Sequence, residues 1–420
     1  ETLGLQSSSK SLMRPFQEID NHILSLKNTF FFENSSLEVN LGYLFNDRRE
    51  FEEELNGILQ EDVAALRLKL KTFNYDIKYT LPKLGRFETI IGLQGMFQDN
   101  KNFGEEILIP NATTKDVGIL ATTHYHLDKI DFQAGVRFDN RTIKSEQYGL
   151  EGEEGYIKAI DRNFNSFNIA FGFKTKLFKE IITRLNLASG FRAPNLSELS
   201  SNGIHVGTNR FEIGNSGLDN EKNFQIDLAF EYKKEHFEVF VNGFYNRINQ
   251  FIFIKPKGEF INEYPVFDYV QGDAKLYGGE VGFHIHPHPI DWLHIESTFE
   301  TVIGKQDNND LPLIPANKWQ NTFRIEFEKI NFIKKPHAFI KLKSTFRQDR
   351  VSDFETRSPG YSLLSAGFGG GFKIQKTQVN FTFNASNLTN KRYIAHLSRL
   401  KNQNLANIGR NFSLNLKVKI

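Results

Sequence analysis

Asn411-Phe412-Ser413-Leu414-Asn415-Leu416-Lys417-Val418-Lys419-Ile420 alternates polar and apolar side chains without an error. Successive side chains of an extended strand point to opposite faces, so this stretch has one greasy face and one wet face. The same period recurs along the chain. Leu37, Val39, Leu41, Tyr43 and Phe45 oppose Glu38, Asn40, Gly42 and Asn46. Phe132, Ala134, Val136 and Phe138 oppose Gln133, Gly135, Arg137 and Asp139. Phe224, Ile226, Leu228, Phe230 and Tyr232 oppose Asn223, Gln225, Asp227 and Glu231, and Val379, Phe381, Phe383 and Ala385 oppose Asn380, Thr382, Asn384 and Ser386. About seventeen strands of this kind can be counted. In Leu66–Tyr79 the apolar phase changes near Thr72 and Phe73, which predicts a bulge.

The connections come in two alternating kinds. Short ones are Glu33–Ser36, Leu81–Arg86, Asp128–Asp131, Lys233–His236, His286–Ile290 and Gln375–Gln378. Long ones are Asp47–Asp62, Gln98–Thr114, Lys144–Arg162, Ala193–Asn220, Gly304–Asn317, Gln348–Gly360 and Asn387–Arg410. Short turns at one end and long loops at the other mark a bilayer-spanning antiparallel β-barrel, oily outside and polar within. A soluble sandwich or propeller also has short strands, but it has no reason to sort loop length by parity. Charge placement agrees. Arg324, Glu326 and Glu328 fall on one side of their strand, and Phe323, Ile325 and Phe327 on the other. A basic residue facing mid-bilayer lipid costs ~2–4 kcal/mol, so the segregation has a physical cause.

Composition excludes other classes. Phe contributes 41 of the 420 residues and aromatics 13 %, yet the mean hydropathy is negative. No apolar run approaches the roughly eighteen residues of a membrane helix. Cysteine is absent, which removes disulfide scaffolds and thiolate metal sites. The net charge of +2, from 52 basic and 50 acidic residues, leaves no block suited to nucleic acid. The chain opens at Glu1 without a signal segment.

Four stretches, in order, resemble TonB-dependent outer-membrane receptors, especially those of Bacteroidetes-type bacteria. They are Ala188–Leu199, with Phe191-Arg192-Ala193-Pro194 at its centre; Gly214–Glu221, with Asn215, Leu218 and Glu221; Leu276–Glu280, with Gly279 and Glu280; and Asn387–Tyr393, with Asn387, Leu388 and Tyr393. Two features depart from the family pattern: Ile420 stands where a terminal aromatic is usual, and Asn215-Ser216 lacks the proline of its box.

The resemblance implies a monomeric outer-membrane transporter of a Gram-negative bacterium, with about 22 strands around a plugged lumen. The last strand then runs inward, so about five strands and the plug with its TonB-contacting box are expected upstream, and residues 1–420 are expected to be a barrel fragment. It also implies energy from TonB-ExbB-ExbD, insertion by the barrel-assembly machinery, contact with lipid and no required cofactor. The expected cargo is zinc, haem or a ferric chelate. A passive porin and an outer-membrane barrel enzyme are the alternatives. Against the enzyme, neither H-E-x-x-H nor G-x-S-x-G occurs.

His205, between the Phe191–Pro194 and Gly214 boxes, is the candidate metal or haem ligand that the resemblance implies; the competing reading is a histidine that orders its loop. Neutral imidazole suits both zinc and iron. Glu105 and Glu106 are candidate oxygen ligands in another long loop. Glu50, Glu52, Glu53, Glu54, Glu61 and Asp62 form a charge run that either gathers cations or is merely solvated. His284, His286 and His288 are the densest histidine cluster, with Pro287 and Pro289 as strand terminators. They approach a short turn, far from an outer capture site. His124 and His126 share a face near another inward end. Gly367 and Gly369–Gly371 read as close strand packing, because no helix opens after them.

Overall fold

The structure is a computed structural model describing residues 16–51, 64–104, 107–153, 155–178, 180–205 and 210–419, with His205 described in its backbone alone. Alternating aromatic and β-branched residues build strands almost everywhere. The first run is β1 Phe16–Phe31, β2 Ser36–Phe51, β3 Leu66–Thr80, β4 Phe87–Asn102, β5 Ala112–His126, β6 Ile130–Ser145, β7 Ile160–Leu177 and β8 Ile181–Arg192. A long loop then holds α1 Leu196–Ser200, β9 Asn202–His205 and β10 Arg210–Ile213. Beyond it come β11 Glu221–Lys234, β12 Phe237–Ile261, β13 Tyr264–Ile285, β14 Leu293–Gln306, β15 Asn309–Asp310, β16 Lys318–Glu326 and β17 Lys329–Ile330. The last four are β18 Ile333–Thr345, β19 Tyr361–Ile374, β20 Thr377–Ser386 and β21 Asn411–Lys419.

Setting aside the short β9, β10, β15 and β17, seventeen strands pair antiparallel with their chain neighbours in one continuous sheet, β8 passing directly to β11. The long loops all lie at one end, and the short connections, that between β12 and β13 excepted, at the other. One outer connection differs from expectation. Strands β12 and β13 run for 25 and 22 residues and meet in a turn at Asn262 and Glu263, with φ of 48° and 68°. Positive φ at both central residues is what a tight hairpin turn requires. About 9–11 residues cross a bilayer, so this hairpin projects well beyond it.

Burial inverts the soluble pattern. Phe224, Ile226, Leu228 and Phe230 are exposed, while Asn223, Gln225 and Asp227 between them are half-buried. Phe167 is 67 % exposed and Phe412 59 %. An oily belt of this extent is stable only against lipid.

The bulge expected at Thr72 and Phe73 is not there. Strand β3 pairs without a shift with β2, from Glu50↔Leu66 to Ser36↔Thr80, and with β4. The apolar phase changes because the strand leaves the hydrocarbon. Beyond Thr72 toward the loop end, the outward face carries Arg67 and Lys69, and Arg67 Nη2 donates to Asp47 Oδ2 at 2.7 Å. Arg49 on β2 likewise donates to Asp20 on β1 at 2.8 Å. Above the bilayer that face meets water and has no need to be apolar. Actual register shifts fall elsewhere, at Ile248/Phe251 and Pro256/Phe260 in β12–β13 and at Lys334/His337 in β18–β19. Among the described residues β1 pairs with β2 alone and β21 with β20 alone, so these seventeen strands form a sheet with two edges.

Candidate functional site

The outer loop leaves β8 at Arg192 and returns at its strand partner Glu221. Asn195 caps α1: its side chain accepts the Glu198 N–H at 2.9 Å, and Glu198 Oε2 accepts the Asn195 N–H at 2.8 Å. This reciprocal cap satisfies donors that a helix start leaves open. Arg192 holds both acids, donating from Nη1 to Glu198 at 2.8 Å and from Nε and Nη2 to Glu221 at 2.9 and 2.7 Å. Glu198 and Glu221 are only 8 % and 9 % exposed, so each needs that cation. Ala193, Leu199 and Leu218 close a small core with Ile143, Ile160, Phe164 and Ile252, against which Phe191 packs. Gly214 lies so near α1 that a Cβ there would stand 2.6 Å from the Ser200 and Ser201 nitrogens. Arg162 Nη2 donates to the Leu218 carbonyl at 2.8 Å, and Asn215 N–H to the Glu198 carbonyl at 2.7 Å. Most of the first two sequence boxes is therefore the internal frame of the loop.

The other two boxes do similar work. A Cβ on Gly278 or Gly279 would collide with the carbonyls of Thr301 or Asn242 on the flanking strands, so glycine sets how closely β12, β13 and β14 approach. Asn387 closes a turn, donating to the Lys391 carbonyl at 2.9 Å and accepting the Lys391 N–H at 2.8 Å. Tyr393 lies on Tyr361, with centroids 4.4 Å apart. In the same 387–410 loop the buried His396 has its Nδ1 2.9 Å from Ser358 Oγ and 3.2 Å from Lys401 Nζ. Burial, and then the Lys401 charge, push this imidazole below its ordinary range. The glycines at 367–371 meet Phe339, His337 and the carbonyls of β20, as expected for packing.

His205 ends β9 opposite Arg210 of β10, and β10 runs parallel to β13 through Phe211↔Val266. This places its backbone at the loop end of the sheet. Gly203, two residues before it, lies against Ile107 and Leu108. Glu105 and Glu106 lie outside the described residues, as do Glu52, Glu53, Glu54, Glu61, Asp62 and Ile420. Glu50 pairs with Arg48. Beneath the hairpin is an acid the sequence did not single out. Glu212, 2 % exposed, accepts from Arg210 Nε at 2.8 Å and from Tyr269 Oη at 2.9 Å. Its signal was the one-residue gap between Arg210 and Glu212, which puts both on one strand face.

The inner wall is a polar ladder. Arg141 donates to Asp116 at 2.6 and 2.5 Å, Arg137 Nε donates to Asp139 at 2.7 Å, and Gln94 donates to Asp76 at 2.9 Å. A cavity of about 370 Å³ opens among these groups. A hollow of about 400 Å³ between outward-facing Ile226, Leu228, Phe230 and Val241 has the character of an acyl-chain groove and belongs to the lipid face. At the short-turn end, His124 and His126 stack with centroids 6.0 Å apart, and His126 Nδ1 lies 2.8 Å from Asp131. His284 and His286 also share a face, 5.4 Å apart.

A family model described as TonB dependent receptor-like, beta-barrel matches residues 7–388. Among solved structures, the chain resembles the copper transporter OprC with a TM-score of 0.76 and 16 % identity over 95 % of its length. It resembles the FrpB iron transporter from Neisseria meningitidis (F5-1 variant) with a TM-score of 0.70 and 16 % identity over 96 %. A double mutant of the Serratia marcescens hemophore receptor HasR, in complex with its hemophore HasA and heme, gives 0.71 and 11 % over 95 %. The chain spans 64 % of the first two of these structures and 65 % of the third.

Proposed function

The chain belongs to the TonB-dependent receptor β-barrel family, and from that premise we propose that it takes up a scarce metal or metal complex across the outer membrane. Receptors of this family sit in the outer membrane of Gram-negative bacteria; they are transporters rather than enzymes and require no cofactor. The observation that carries the reading is the oily outer face of seventeen paired strands, crowned at one end by a loop framed by Arg192, Glu198 and Glu221. A rigid wall with a polar inner surface supplies a passage, and a framed loop supplies fixed positions for ligand contacts.

The copper transporter, the iron transporter and the haem-bound receptor complex that share this fold support a metal-bearing cargo. Zinc or haem is the narrower proposal, with His205 as the ligand at the mouth. Glu105 and Glu106 stand immediately before Ile107, the residue against Gly203, and are proposed as auxiliary oxygen donors. Transport against a gradient draws on TonB; ExbB and ExbD, insertion by the barrel-assembly machinery and a monomeric state complete the proposal.

The test is uptake by cells supplied with limiting zinc, haem or a ferric chelate, with the gene intact, deleted or carrying His205→Ala. Deletion should abolish growth on one of these sources, and His205→Ala should lower its uptake at least about tenfold, the equivalent of a lost ligand contact of about 1.4 kcal/mol. Equal uptake of all three after deletion rejects the receptor reading. Normal uptake with His205→Ala removes that residue alone.

A further inference from the structure

Five of the chain's eleven histidines, 236, 284, 286, 288 and 294, gather on two adjacent short turns at the end opposite the outer loops. The β12–β13 ladder ends at Phe237↔Ile285, and His286 N–H then donates to the His236 carbonyl at 3.1 Å. That bond holds the two turns side by side. His236 Nδ1 lies 3.4 Å from His286 Nδ1 and 3.1 Å from Asp291 Oδ1, and His286 Nδ1 lies 4.0 Å from the same oxygen.

Three ligand atoms at these separations describe one face of a coordination polyhedron. Metal–ligand bonds of 2.0–2.1 Å in a tetrahedron require ligand atoms about 3.3 Å apart. Two of the three separations match that edge, and the third closes with a small turn of one ring. We propose that His236, His286 and Asp291 form a divalent transition-metal site, of the zinc and nickel class, on the periplasmic rim of the sheet.

The donor chemistry fits: two imidazole nitrogens and a carboxylate oxygen form a borderline set, and an exposed fourth position is left for water. His288 Nδ1 lies 3.2 Å from the other oxygen of Asp291, where it orients the carboxylate as an outer partner of a metal ligand does. His284 Nε2 and His294 Nδ1, 2.9 Å apart, back the site from the strand side. All three ligand side chains are accessible, with His236 at 37 %, His286 at 24 % and Asp291 at 48 %, so a cation can reach them from solution. The site is at the exit end of the wall and does not depend on His205 or on the identity of the cargo.

The experiment uses the protein purified in detergent and stripped with chelator, with ZnCl₂ alone as the probe, read by equilibrium dialysis and elemental analysis. Wild type should retain one more zinc per chain than the His236→Ala/His286→Ala double variant, and His205→Ala one more than a triple variant that adds both rim substitutions to it. His288→Ala should keep the stoichiometry with affinity lowered about ten- to a hundredfold. With Co²⁺ in place of zinc, wild type should show the strong visible absorption of a four-coordinate site, and the double variant should lose it. Asp291→Asn, a change in an exposed turn, reads the same loss should the double variant fail to fold. Equal zinc content and equal cobalt spectra in wild type, the double variant and Asp291→Asn would overturn the proposal and leave a hydrogen-bonded histidine pair.

Discussion

Replacing Arg192 by alanine leaves Glu198 and Glu221 facing one small volume with no cation between them. Because the guanidinium is itself partly exposed, the expected loss is about 2–3 kcal/mol, less than for a fully buried pair. The loss should be local: residues 193–220 become open to limited proteolysis while the sheet keeps its circular dichroism. Arg192→Lys keeps charge without the fork and should fall between. An unchanged cleavage pattern in Arg192→Ala would refute the framing role. His396 gives a pH signature. Its ordinary value is 6.5 and burial lowers it in the folded loop. Above 6.5 the ring is neutral in both states, whereas below it the opened loop binds the proton first, so loop stability falls as pH falls. Glu355 Oε1, 3.9 Å from Nε2, offsets part of this, while Lys401 adds to it. Amide protection factors across Ala395–Lys401, corrected for the intrinsic pH dependence of exchange, should fall as pH drops from about 6.5 to about 5, and His396→Gln should flatten the dependence. At this scale the sequence was only partly readable. It flagged Arg192 and Glu221 through a motif and His284 and His286 through density, but His236 joins them only through the register of β12 on β13, and Asp291 only through the course of the β13–β14 turn.

Alternation made the strands legible, because lipid and lumen impose opposite demands on successive side chains. It misled at β3, where the same alternation continues with its phase reversed once the strand rises out of hydrocarbon. A period of two reports which faces differ, and the surrounding medium decides which face is oily. Val136, in the bilayer-crossing part of β6 opposite Ile169, tests this directly. Val136→Arg should cost ~2–4 kcal/mol in urea titrations of the protein in lipid. Lys69→Leu, on the outward face beyond the phase change, should cost less than about 1 kcal/mol. Equal costs would place both residues in the same medium and sink the account of β3. The β12–β13 hairpin escaped prediction for a related reason. Its turn, Asn262-Glu263, lacks glycine, and its outer halves carry charge on strands longer than the bilayer demands.

For the whole molecule, one axis runs from the long loops to the short turns, and every site has its place along it. A protease-cleavable tag inserted after Asp307 should be cut on intact cells, and one inserted at Lys376 only after the outer membrane is opened. The reverse result would turn the molecule over and put the histidine turns outside. Parity of loop length was legible from sequence because it needs only counting, and the number of strands followed from the same alternation. The two large outer loops differ in how they are fastened. Residues 193–220 are held by a two-acid arginine fork over an apolar core, whereas 387–410 hangs on turn hydrogen bonds and one neutral imidazole. In mildly acid surroundings the doorway is therefore weakened on one jamb: the side beside β20 and β21 loses part of its fastening, while the fork beside β8 contains no such group.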